Sequence, residues 1–249
     1  GRPMVMIDQL PYSEMNVDGE LDLKPTDPFL QSVEWKLKTA IFQQKHFPVD
    51  MVAENIFEIP VPIYGWSFGD LGIVGKTVFD EDGKDVKGQH YEDVLQTEED
   101  ADKIHAGTVR ADEKAWQHNM SVGHEIFDGI LPIRPQLVEM SFQLWDAIVQ
   151  WHGVDNSIYD LVDRPEFMHK ILTKMTDALL DLIDQTERLG YLKEHNQLIH
   201  CTGAYTYDEH VTEEGKKTSG MNAWTFGMSQ IFSTVSPQMH EEFEVPYLS

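Results

Sequence analysis

The sequence predicts an α/β fold in which a mainly parallel sheet is covered by helices. Short apolar runs bounded by proline or polar residues are typical of buried strands, and helical patterns of roughly 10 to 25 residues separate them. This alternation favours a parallel sheet. A chain of 249 residues that is 41% hydrophobic is also long enough to bury a sizeable core. About five or six strand–helix units can be counted, whereas a closed barrel of alternating strands and helices needs about eight.

The first quarter of the chain predicts a strand, a helix and a second extended region. Residues 4–8 are an apolar run that follows Pro3, and we expect a short buried strand there. Asp27 and Pro28 are a typical helix start, with an acidic N-cap and proline in the first turn. Residues 50–64 are rich in Val and Ile, but two prolines forbid a regular central strand throughout.

The middle of the chain predicts a hairpin followed by short helices. An Asp-Gly pair within residues 81–84 is the turn signal of a hairpin that spans residues 79–94. Thr97 and the acids after it predict a short helix, and residues 112–127 predict another. Residues 129–133 predict a strand.

Helix signals become stronger in the second half. One helix is expected to end at Gly153. A long helix is expected to begin with Asp163 as its acidic cap and Glu166 three residues later, to carry one apolar stripe from Phe167 to Ile183, and to end at Gly190. Residues 197–201 predict a short strand, and a polar loop follows to residue 217. Ser236 is the expected N-cap of a last helix.

Charge and cysteine content exclude several kinds of partner. The net charge is −24, from 43 acidic and 19 basic residues, so nucleic acid and anionic membranes are poor partners. Cys201 is the single cysteine, which fits a reducing compartment. No apolar run reaches the roughly 18 residues of a membrane span. We therefore expect a cytoplasmic protein, and the missing initiator Met leads us to expect a partial chain.

Several widely spaced segments together resemble the longer bacterial members of the uroporphyrinogen-decarboxylase superfamily. No single motif is highly specific, and their order along the chain carries the resemblance. The segments are Arg2-Pro3-Met4-Val5, Asp27-Pro28-Phe29, residues 46–51, 125–132 and 160–168, His200-Cys201-Thr202-Gly203, and residues 235–243. The resemblance covers essentially the whole chain and implies one domain, residues 1–249, that is part of a (β/α)₈ TIM-barrel-like fold. It also implies that the barrel is completed, with a further cysteine ligand, beyond Ser249.

The resemblance implies one of two activities. The superfamily includes decarboxylases that need no cofactor, and zinc-dependent methyltransferases that move methyl groups between a substrate, a corrinoid protein and a thiol or folate. Residues 8–14 lack the arginines with which the decarboxylases bind substrate carboxylates. This difference favours the methyltransferase branch.

His200 and Cys201 are the candidate metal ligands, because a thiolate and an imidazole together suit zinc. They lie at the end of a predicted strand, where barrels place their functional groups. They are adjacent, whereas the methyltransferases carry His-x-Cys, and neighbours on a strand point to opposite faces. The alternative is a buried structural cysteine beside a hydrogen-bonded histidine.

Acidic and aromatic residues complete the predicted site. Asp8 and Asp208 are candidate catalytic acids, and Asp208 has the alternative of belonging to a solvated loop. Glu54 is a third candidate; it shares a strand face with Glu58, and the alternative is a pair of exposed acids. The candidate substrate- or cofactor-binding aromatics are Tyr205, Tyr207 and Trp66.

Three functional hypotheses remain open at this point. The first is a methyltransferase that acts on a small methylated substrate, with zinc, a corrinoid (cobalamin) cofactor and a corrinoid protein as partner. The second is a metal-free lyase that resembles the decarboxylases. The third is a module that binds a tetrapyrrole or corrinoid without turnover. An unclosed barrel would expose sheet edges, which favours a homo-oligomer.

Overall fold

A computed structural model of the chain describes residues 2–7, 9–79, 86–193, 217–223, 225 and 227–248. The fold is mixed α/β, with about 49% helix and 12% strand. Helices therefore account for most of the regular structure. None of the helices in the described part of the chain is long and apolar enough to cross a membrane.

The regular elements follow one another in this order. The helices are α1 (Tyr12–Met15), α2 (Pro28–His46), α3 (Glu98–Ala101), α4 (Glu113–Phe127), α5 (Leu144–His152), α6 (Val154–Asp163), α7 (Pro165–Leu189), α8 (Pro237–Phe243) and α9 (Val245–Leu248). The strands are β1 (Phe57–Pro60), β2 (Ile63–Tyr64), β3 (Gly75–Phe79), β4 (Val86–Tyr91), β5 (Arg110–Ala111) and β6 (Ile133–Gln136). Short 3₁₀ helices span Gly220–Asn222 and Gln230–Thr234.

The chain divides into two compact units. Among the described residues, the first unit combines the chain up to Ile59 with Lys114–Pro135. The second combines Pro60–Glu113 with residues from Gln136 to Lys193 and from Lys217 onward.

The core of the first unit lies between α2, β1 and α4. Val33, Phe57, Ile59 and Phe127 are buried there, and the rings of Phe57 and Phe127 stack with centroids 4.4 Å apart. Gly123 allows α4 to approach the strand, because a Cβ atom at that position would lie 2.3 Å from Cδ1 of Ile59. The packing of this unit thus depends on a glycine as well as on its apolar side chains.

The core of the second unit is built around α7. The apolar stripe predicted for this helix is confirmed, since its members are buried at helical spacing. The buried residues of the stripe are Phe167, Met168, Ile171, Leu172, Met175, Ala178, Leu179, Leu182 and Ile183. Helix α5 packs against it through Leu144, Trp145, Ile148 and Trp151. The helix ends at Gly190, which adopts a left-handed conformation at φ 78°, as predicted.

The described strands form small two-stranded sheets and no closed barrel. Strands β2 and β5 are antiparallel, and so are β3 and β4. The hairpin predicted over residues 79–94 therefore has its strands at Gly75–Phe79 and Val86–Tyr91, and the predicted turn at residues 81–84 lies outside the described residues. Strand β1 pairs with β6. The Phe57 N–H donates to Pro132 O and the Val61 N–H donates to Gln136 O, so these two strands run in the same direction.

Parallel pairing continues beyond β6 at two isolated bridges in the second unit. Val138 pairs with Leu192, and Phe142 pairs with Gly227. The expected parallel arrangement therefore exists locally, although these segments are too short to form regular strands.

Some element predictions were wrong. Residues 4–7 form no strand; Val5 instead bonds through both its backbone groups to Asp50, by N–H to Oδ2 and by C=O to the Asp50 N–H. The extended region of residues 50–64 was predicted correctly, because its two prolines interrupt it and it contains only the short strands β1 and β2. The strand predicted at residues 129–133 begins at Ile133. The N-cap of α7 is Arg164, without a side-chain hydrogen bond, because Asp163 still belongs to α6.

Candidate functional site

Most of the predicted site residues lie outside the described residues. These are Asp8, His200, Cys201, Tyr205, Tyr207 and Asp208. Glu54 and Trp66 are described, and they belong to different units. The predicted strand at residues 197–201 also lies outside the described part of the chain.

Glu54 and Glu58 converge on one arginine of the first unit. Arg134 on β6 donates from Nε to Glu58 Oε1 over 2.8 Å and from Nη2 to Glu54 Oε2 over 3.2 Å. Only Glu58 lies in a strand, so the shared strand face predicted for the two acids was wrong. The two carboxylates nevertheless lie together, because the arginine fork reaches both. The Glu58 side chain is 13% exposed and that of Glu54 36% exposed, so Glu54 is the more accessible acid.

Trp66 directly follows Gly65, where the backbone of the second unit closely approaches Thr108. Gly65 has φ +80°, and a Cβ atom there would lie 1.9 Å from Thr108 O. Only glycine allows this close approach. Trp66 is half-buried against the main core cluster of the unit. The predicted binding role of Trp66 thus stays a prediction, and the observed contacts are those of a packing residue.

The second unit contains an open cleft of about 640 Å³, which is a common volume for small-molecule sites. Met140, Phe142, Ala223, Thr225 and Gly227 line one side of the cleft. Phe142 pairs with Gly227, and the Thr225 hydroxyl donates to Met140 O over 3.0 Å.

Helix α7 forms the other side of the cleft. Leu180, Ile183, Asp184 and Glu187 line it, at the i, i+3, i+4, i+7 spacing of one helical face. The Glu187 Oε2 atom accepts from the Gly220 N–H over 2.8 Å, which holds the 3₁₀ turn at the edge of the cleft. The sequence predicted the apolar stripe of α7. It did not predict that the neighbouring face is open.

The described lining of the cleft is acidic. Asp184 and Glu187 are the charged side chains among its described lining residues, and that lining includes no Lys, Arg or His. The remaining lining is mainly apolar, with Phe142 and two methionines. Arg188 lies 3.7 Å from Asp184 at the surface, but both side chains are well exposed and interact weakly.

A buried ion cluster lies elsewhere in the second unit. His152, the last residue of α5, is 1% exposed, and its Nδ1 lies 2.9 Å from Asp93 Oδ1 and its Nε2 2.7 Å from Asp160 Oδ2. Arg164 also binds Asp160 Oδ2, and Asn156 donates to Asp93 Oδ2 over 3.0 Å. Sequence analysis missed this cluster; the one local signal was a histidine at a helix C-terminus, where the dipole favours a cation.

Hydrogen bonds within the cluster favour the ionised form of the Asp160 carboxyl group. Burial raises the pKa of Asp160, but hydrogen bonds from Arg164 and His152 outweigh this effect and leave that pKa below its ordinary value. The two carboxylates occupy opposite ring nitrogens, so they cannot share one ion with the ring. The cluster therefore has the geometry of a structural brace that joins α5, α6 and the segment before α3.

The described residues contain no group of three or more His, Cys, Asp and Glu side chains arranged to hold a metal ion. Because His200 and Cys201 lie outside those residues, the zinc site remains a prediction.

The sequence matches no family model, no curated protein and no solved structure.

Proposed function

We propose that the protein is a methyltransferase that moves a methyl group between a small methylated substrate, or a thiol or folate acceptor, and a corrinoid. The proposal includes the (β/α)₈ barrel implied by the resemblance to the uroporphyrinogen-decarboxylase superfamily. The single observation that supports it best is the position of the cleft. Phe142 and Gly227, a parallel pair, both line it, and barrel enzymes place their sites at the ends of parallel strands.

In this proposal the roles of the residues are as follows. The cleft binds the substrate through its apolar lining. Independently of the cleft, Asp8, Glu54 and Asp208 are each proposed to orient a substrate or to accept a proton, and Trp66, Tyr205 and Tyr207 are the proposed aromatic contacts. His200 and Cys201 are the ligands proposed for zinc. When bound, zinc lowers the pKa of a coordinated thiol and so makes the thiol a better methyl acceptor.

The test measures metal content and methyl transfer on the same preparation of protein. Zinc is quantified by mass spectrometry, and transfer from methylcobalamin to a thiol is followed by the change in corrin absorbance. His200→Ala and Cys201→Ala are the variants, and His118→Ala, on the surface of α4, is the control. We expect near-stoichiometric zinc in wild type and control, and loss of both zinc and transfer in the two variants.

Two other results would each favour a rival hypothesis. Protein without zinc that decarboxylates a porphyrinogen-like substrate would replace the methyltransferase by the metal-free lyase. Protein that binds methylcobalamin without turning it over would instead favour a tetrapyrrole- or corrinoid-binding module.

A further inference from the structure

We propose that a small internal cavity of the second unit binds one water molecule, which accepts a hydrogen bond from the Trp145 indole N–H and donates one to the Glu244 carboxylate. The residues around this cavity come from α5, α7, α8, α9 and adjoining segments. Phe142 and Leu248 line both the cavity and the open cleft, so the two spaces are neighbours. The proposal goes beyond the proposed function and does not depend on methyl transfer.

The hydrogen-bond donor is Trp145 on α5. Trp145 is 1% exposed, and its Nε1 atom has no hydrogen-bond partner among the described residues. Its ring packs against the apolar ring of Phe232, with centroids 4.5 Å apart. A buried indole N–H usually finds an acceptor, because leaving this hydrogen bond unmade is costly. The burial of Trp145 therefore calls for an acceptor in the cavity that it lines.

The hydrogen-bond acceptor is the carboxylate of Glu244, the residue between α8 and α9. Glu244 is 6% exposed, and its Oε2 atom is buried and makes no hydrogen bond within the described part of the chain. Nε2 of His240, a half-exposed residue of α8, lies within ion-pair distance of Oε2. An ionised carboxylate has about four acceptor positions, so it can accept from a water molecule as well as from this neighbour.

The size of the cavity limits what it can hold. Its volume of about 10 Å³ is close to the minimum that one buried water needs, and it is far too small for an organic ligand. Leu144, Leu172 and Phe243 line it with apolar groups. An apolar cavity would stay dry, whereas one with two polar groups can retain a water, which commonly makes about two to four hydrogen bonds. Such a water links α5 to the connection between α8 and α9.

The test is an NMR measurement on the full chain labelled with ¹⁵N-tryptophan. Rotating-frame cross-peaks between each indole N–H and water report direct contact, because their sign differs from that of exchange peaks. Trp145→Phe and Trp151→Phe assign the two signals. Trp151 is the matched control, since its Nε1 is also buried without a partner among the described residues, but Trp151 is not among the residues that line the cavity. We expect a direct water cross-peak for Trp145 and none for Trp151.

Two variants of Glu244 test the acceptor. Glu244→Gln keeps an acceptor oxygen and should retain the water cross-peak of Trp145, whereas Glu244→Leu should lose it. An unchanged Trp151 signal shows that each variant is folded. If Glu244→Leu does not fold, the comparison of the two indoles in the wild-type protein decides alone. The proposal is overturned by a wild-type Trp145 signal without a water cross-peak, by equal cross-peaks for both indoles, or by a cross-peak that persists in folded Glu244→Leu.

Discussion

Nε2 of His152 lies 2.7 Å from Oδ2 of Asp160, and the histidine side chain is almost completely buried. Each ring nitrogen of this imidazole faces a carboxylate, because Asp93 Oδ1 lies 2.9 Å from Nδ1. Removing the ring leaves Asp93 and Asp160 without this hydrogen-bond partner in a poorly solvated site. The cluster should therefore contribute to the stability of the second unit.

We predict that His152→Ala lowers the free energy of unfolding by about 3 kcal/mol or more, because a partner of two partly buried carboxylates is lost together with packing volume. Urea denaturation measures the change. His124→Ala is the control, since His124 also lies 2.9 Å from an aspartate, Asp128, but both side chains are exposed. The control should change by about 0.5 kcal/mol or less. Equal effects in the two variants would mean that the buried cluster does not brace the helices.

A second prediction concerns acid stability and Asp100. Thr97 and Asp100 form a capping box at the start of α3, and Lys103 Nζ lies 2.7 Å from Asp100 Oδ1. Hydrogen bonds from Lys103 and Thr97 lower the pKa of Asp100 from 3.8 to about 2. A carboxylate with a lowered pKa contributes stability that is present above its unfolded-state pKa and lost as the pH falls through its folded-state pKa.

Asp100→Asn should therefore lower the urea midpoint at pH 5, and the difference from wild type should shrink between about pH 4 and pH 2. Glu99→Gln is the matched control, because Glu99 is exposed in the same turn. A difference that stays constant over this pH range would show that ionisation of Asp100 is not the cause.

The sequence predicts best those features that depend on a few neighbouring residues. Asp27 accepts from the Leu30 N–H over 2.9 Å and caps α2, and Ser236 caps α8 through the Met239 N–H. Gly153 ends α5 at a positive φ, as predicted. In each case the side chain or the glycine satisfies a helix end by itself, so no distant contact is needed to predict it.

Features that depend on distant residues were predicted less well. The apolar run of residues 4–7 reads as a buried strand, but its backbone bonds to Asp50, 45 positions from Val5. The ion cluster joins residues from 93 to 164, and nothing local marks Asp93 as a partner of His152. The cleft was missed for the same reason. The spacing of apolar residues in α7 predicts which face of the helix is buried, but it does not predict which of the other faces borders a cleft.

A third prediction concerns Gly65, the residue before Trp66, and its close approach to Thr108. Gly65→Ala combines a positive φ with a Cβ atom 1.9 Å from a backbone oxygen, so the chain must move. We expect a loss of about 2 kcal/mol or more in the free energy of unfolding. Gly72→Ala is the control, because nothing lies within 4 Å of its added Cβ atom. The control should change by less than about 0.5 kcal/mol. Similar stabilities of the two variants in urea would contradict the close approach at Thr108.

The last prediction separates the two acids that share Arg134. Glu58 is the more buried and binds Nε of the arginine, whereas Glu54 is more exposed and is the proposed substrate-orienting acid. Glu58→Gln should lose about 1–2 kcal/mol of stability, because a charge-assisted hydrogen bond in a partly buried site is weakened. Glu54→Gln should lose about 0.5 kcal/mol or less, because exposed ion pairs contribute little.

Activity should show the opposite order. If Glu54 orients the substrate, Glu54→Gln lowers methyl transfer from methylcobalamin at least about tenfold, a typical loss for a positioned acid–base group. Glu58→Gln should retain its activity per folded molecule. Urea denaturation and corrin absorbance on the same two variants make the comparison. Full activity in Glu54→Gln would remove Glu54 from the proposed site and leave it as the more exposed partner of Arg134.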